Sequence, residues 1–69
     1  MAEVHGTVLE SFENAETGQW HLIVEEDEHR GTTTVELLAA DPGFRRGDRV
    51  YRRTGLRQRA SPWRPVGSG

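Results

Sequence analysis

Sixty-nine residues, 33% apolar and 29% charged, are enough for one small domain with room for only a few core side chains. Cysteine is absent, which excludes disulfides, thiolate metal sites and cysteine nucleophiles. A mean hydropathy of −0.75 with no long apolar run excludes a membrane-spanning helix and a secretory leader, so a cytoplasmic chain with no membrane partner is expected. The formal charge is only −2, but its signs are segregated. Residues 1–43 hold ten acids against Arg30, a net of −9, and residues 44–69 hold eight arginines against Asp48, a net of +7. Such asymmetry implies either a basic arm for an acidic partner or two complementary faces of one folded unit.

Within residues 4–12, Val4, Gly6, Val8 and Phe12 share one parity, the period of an extended strand. Gly6 inside it marks a bulge or a close backbone approach. Residues 13–18 carry turn chemistry, and residues 19–25 alternate again with Trp20, Leu22 and Val24 on one face. Pairing residues whose numbers sum to 32 predicts a hairpin. On its core side Phe12 faces Trp20, Glu10 faces Leu22 and Val8 faces Val24; on its reverse Leu9 faces Ile23 and Ser11 faces His21.

Residues 25–31 read as a solvated acidic turn. A third strand over residues 32–39 places Thr33, Val35 and Leu37 on one parity; the alternative, a short helix over residues 35–40, would be cut off by Asp41-Pro42-Gly43. Gly47-Asp48 turns the chain into a fourth strand through Val50 and Tyr51. Residues 1–53 therefore read as a small barrel. Residues 54–69, rich in Arg, Pro and Gly, read as a basic tail that is partly disordered, docks through Trp63, or adds a short fifth strand.

Candidate binding residues concentrate in the second half: Arg45, Arg46, Arg49, Tyr51, Arg52, Arg53, Arg57, Arg59, Trp63 and Arg64. Guanidinium groups grip phosphates in bidentate fashion and aromatic rings stack on bases, which would suit nucleic acid. The same arginines could instead neutralise the acidic half, within the fold or across a homo-oligomer. An isoelectric point near 5.9 favours pairing with protein, because the acidic half repels phosphate. Trp20 is assigned to the core by its parity; Trp63, between Pro62 and Pro65, is either an anchor for the tail or an aromatic contact for a partner.

His5, His21 and His29 do not converge, so no metal site is expected, and the acidic turn lacks the ligand spacing of a calcium loop. Ser11 opposite His21 has no orienting acid and no pocket. No enzyme activity and no cofactor are expected.

The succession Gly6-Thr7-Val8, Trp20-His21-Leu22-Ile23-Val24, Val35-Glu36-Leu37 and Phe44-x-x-Gly47-Asp48-Arg49-Val50 resembles small SH3-like and OB-like β-barrels. It looks most like small uncharacterised bacterial domains with a Gly-x-Val opening and a Gly-Asp-x-Val ending. The resemblance covers about residues 4–53 and implies a fold, not an activity: Gly47-Asp48 would turn the chain so that Val50 packs inward. The opening is also similar to the cold-shock domain, through Gly6-Thr7-Val8, Phe12 and Asn14, although residues 19–23 carry one aromatic and residues 33–37 none.

The resulting expectation is an all-β protein: a small antiparallel barrel of four to five strands with a basic C-terminal tail. It is read as a non-enzymatic binding module for a protein partner or for itself, with nucleic-acid binding as the alternative.

Overall fold

The computed structural model describes residues 2–55 and 61–67. Five strands, β1 (Ala2–Glu13), β2 (Trp20–Glu26), β3 (Thr33–Leu38), β4 (Arg49–Thr54) and β5 (Arg64–Pro65), form one antiparallel sheet in the order β3-β2-β1-β4-β5. No helix occurs among the described residues, and Val35 to Leu38 are extended, as β-branched Thr33, Thr34 and Val35 favour. The sheet is barrel-like but not closed: no Cα of β3 lies within 8 Å of one in β5, so an open seam separates the two edge strands.

β1 is the hub, pairing β2 on one side and β4 on the other. Its residues Val4, Gly6 and Val8 share the inner face with Leu22 and Val24 of β2 and Val50 of β4. Gly6 lies where β2 and β4 close over β1. A Cβ there would fall 2.6 Å from Val24 Cγ1 and 2.8 Å from the Glu25 carbonyl oxygen, so only glycine permits this approach. At the start of β4, Gly47 holds a φ of +93°, and its amide donates to the Val8 carbonyl at 2.7 Å. The Val8 amide in turn donates to the Asp48 carbonyl at 2.8 Å.

Beyond Val8 the expected hairpin register fails. Pairs summing to 32 hold through Val8↔Val24, but a bulge at Leu9 then sets Glu10 against Ile23, Ser11 against Leu22, Phe12 against His21 and Glu13 against Trp20. The extra residue falls where β1 runs past the beginning of β4, a place where a bulge lets a strand bend away from its neighbour. Parity inverts as a result. Phe12 leaves the core side and stacks on the His21 ring on the outer face, with centroids 4.9 Å apart, and Leu9 is exposed.

Thr33, Val35 and Leu37, which share one parity, form the outer face of β3, while Thr34, Glu36 and Leu38 turn inward. The assignment of Trp20 to the core does not hold. Trp20, the first residue of β2, is only partly buried and lies outside the core cluster. Trp63 fills the core, at 6% exposure, with Val8, Leu22, Val24 and Val50 around it and Val4, Leu38 and Phe44 at the margin. Of the two roles open to Trp63, the structure shows the anchor.

A core of four aliphatic side chains and one indole leaves little redundancy. Gly6→Ala is expected to lower unfolding free energy by about 1–3 kcal/mol through overpacking against backbone. Trp63→Ala is expected to remove roughly 3–5 kcal/mol, most of what a domain this small can have. Urea titrations followed by circular dichroism check both.

Candidate functional site

The structure scatters the arginines of the second half over different surfaces. Arg49, on the outer face of β4, grips Asp27 with both terminal nitrogens, at 2.7 and 2.6 Å, and also donates to Thr7 Oγ1 at 2.8 Å. Arg53 Nε lies 4.0 Å from Glu3, whose other carboxylate oxygen is 2.7 Å from His5 Nε2. Tyr51 sits between these arginines with its ring stacked on His5. The antiparallel pairing of β1 with β4 thus lays part of the acidic half directly beside part of the basic half.

Arg52 points the other way. On the inner face, its guanidinium lies 4.4 Å from the centre of the Trp63 ring, a cation–π contact at the floor of the core. Arg52 Nε and Trp63 Nε1 are both buried with no hydrogen-bond partner among the described residues, so the contact rests on the ring face and not on polar pairing. Arg45, Arg46 and Arg64 are exposed and make no ion pair among the described residues. Arg57 and Arg59 lie outside the described residues, as does Leu56.

Concavities mark the surface of the described residues. At the bulge, Leu9, Ile23 and Phe44 meet Arg45 and Arg46 around a hollow of about 680 Å³. Along the open seam, Leu38, Phe44, Pro62 and Trp63 line an apolar groove of about 570 Å³ with Glu36 and Asp48 at its sides. Tyr51, Arg53, Ser61 and Arg64 border a smaller hollow of about 400 Å³, where the Arg53 amide donates to Ser61 Oγ at 2.8 Å. Among the described residues no group of three or more His, Asp and Glu side chains could hold a metal ion. No helix among the described residues is long and apolar enough to cross a membrane.

The outer face of the sheet has two contrasting halves. Over β1 and β4 it is polar and internally paired, through Glu3, His5, Thr7, Asp27, Arg49 and Arg53. Over β1, β2 and β3 it carries an apolar cluster: the rows Phe12–His21–Leu37 and Ile23–Val35 run across the strands, with Val35 58% and Leu37 54% exposed and Glu10 beside Ile23. Sequence reasoning missed this patch. The shared parity of Val35 and Leu37 was visible, but nothing in one sequence says that the other parity, with Glu36 in it, faces inward.

No protein-family model matches the chain, and neither curated proteins nor solved structures give a significant match.

The Arg49 hydrogen bonds hold the Asp27 carboxyl below the ordinary carboxylate range, against a smaller opposing effect of desolvation, and Asp27 raises the Arg49 guanidinium in return. A depressed carboxylate contributes stability above its unfolded-state value and loses it as pH falls through its folded-state value. Asp27→Asn is therefore expected to melt below wild type at neutral pH. The two curves should converge on acidification through the Asp27 titration, which thermal scans across acidic pH will show.

Proposed function

We propose that this protein is a non-enzymatic binding module that pairs with another protein chain, with a second copy of itself as one such partner. The bare apolar patch on the outer face of β2 and β3 carries this reading: exposed β-strand rows of Val, Ile, Leu and Phe are what an interface covers. Charge supports it as well. Arg49 and Arg53 are turned onto Asp27 and Glu3, which reduces the guanidinium surface free to meet phosphate. Segregated charges around an apolar contact set orientation and partner choice more than raw affinity.

A second reading, nucleic-acid binding, is favoured by the hollow between Tyr51, Arg53 and Arg64, where two guanidinium groups flank an aromatic ring. The two readings differ in their salt dependence. A protein-binding module is expected to show concentration-dependent mass, or to retain a protein partner after nuclease treatment. Either property should be lost in Leu37→Asp and weakened in Phe12→Ser, with circular dichroism unchanged. Steeply salt-dependent oligonucleotide binding that Arg53→Ala and Arg64→Ala abolish, with no protein pairing, would replace the first reading by the second.

A further inference from the structure

The phase of the backbone ladder shows what the β3 edge offers. The Asp27 amide donates to the His5 carbonyl at 2.9 Å, so the odd-numbered residues at that end of β2 address β1. The even-numbered residues of β2 then address β3, and through Val24↔Thr34 and Leu22↔Glu36 the even residues of β3 answer them. Thr33, Val35 and Leu37 are left with their N–H and C=O groups turned to the open side. Among the described residues none of these groups has a hydrogen-bond partner across the seam.

The two edges of the sheet are not equally open. β5 is two residues long and contains Pro65, with Pro62 just before it, and proline at an edge blocks addition of a further strand. β3 has no proline, no bulge and no lysine or arginine, and its one charge, Glu36, belongs to the inner face. It is therefore the unguarded edge of the molecule.

We propose that two copies of this chain pair antiparallel along β3, with Val35 on the two-fold axis opposite its counterpart, continuing the sheet across both molecules. This rests on the binding-module reading and names its partner as a second copy. In this register Thr33 faces Leu37 of the other copy, and each outward-turned pair exchanges both backbone hydrogen bonds. Glu36 falls opposite Thr34. A shift that centred the axis on Glu36 would instead oppose two carboxylates, and a shift to Thr34 would set Leu37 against Gly31.

The exposed side chains of Val35 and Leu37 each gain a neighbour on the other copy in this register. The outer rows of β2 and β3 also become one continuous apolar surface, with Val35 packed on its counterpart.

Sedimentation equilibrium of the full chain over increasing concentration tests this, and a reversible doubling of mass is expected. Val35→Pro removes an N–H that does not serve the β2–β3 ladder, so the monomer keeps its circular dichroism. Each copy loses one intermolecular hydrogen bond, and association weakens about tenfold or more. Val35→Lys, at a position already exposed, sets two like charges against each other across the axis and gives the same result without proline. In a sample mixing isotope-labelled and unlabelled chains, intermolecular nuclear Overhauser contacts are expected between Val35 methyls and between Leu37 and Thr33. A wild-type chain that keeps its single-chain mass overturns the pairing while leaving the binding-module reading to its own partner test. A dimer lost in Phe12→Ser but intact in Val35→Pro also overturns it, because the copies would then meet face to face.

Discussion

Between Val8 and Glu10 the β1–β2 ladder carries one residue more on β1 than on β2, and that inequality settles which side chains the molecule hides. Side chains alternate along a strand, so a single inserted residue exchanges the two faces for everything beyond it. Upstream, Val4 and Val8 enter the core; downstream, Ser11 takes the inner position and Phe12 the outer one. The hydrogen bonds of Val8 to Gly47 and Asp48 fix where the exchange occurs, at the point where β4 begins. Phe12 joins the apolar patch over β2 and β3 through this step.

Loss of Phe12 from the inner face leaves a small core, and Trp63 compensates from the opposite end of the sequence. Its indole lies under Val8, Leu22, Val24 and Val50, and its lower face receives the Arg52 guanidinium at 4.4 Å. Trp63, which the sequence leaves open between anchor and partner contact, is thus a structural plug, and Arg52 of the basic half is stacked on it. The described arginines of the basic half form three populations: set beside acids on the outer face, stacked on the core indole, or without an ion pair on loops and β5.

Much of the fold was legible because period-two alternation reports strands directly. The first four strands and the Gly47-Asp48 turn lie within a residue or two of where the sequence places them. Gly6 marked a close approach, and Val8, Leu22, Val24 and Val50 were readable as inward residues. The bulge was not legible, since Leu9 differs in no chemical way from a paired residue, and its location depends on β4, forty residues further on. Which parity of β3 faces inward was not legible either. Leu38, with Glu36 and Thr34, is a less apolar set than Val35 and Leu37, but its orientation is imposed by the pairing of Trp20 and Leu22 on β2. The arginines were legible as a group and not as sites, because their roles follow from which strand each one borders.

The position of β1 at the centre of the sheet also bears on how the molecule comes into being. β1 is synthesised well before its partner β4, since Ala2 waits for Thr54 and the hydrophobic cluster waits for Trp63. Contacts between distant parts of a chain form slowly, because loop entropy is spent before they are made. The nascent hairpin of β1 and β2 therefore leaves Val8, Leu22 and Val24 uncovered until Trp63 has been synthesised, and cooperative folding waits for that residue.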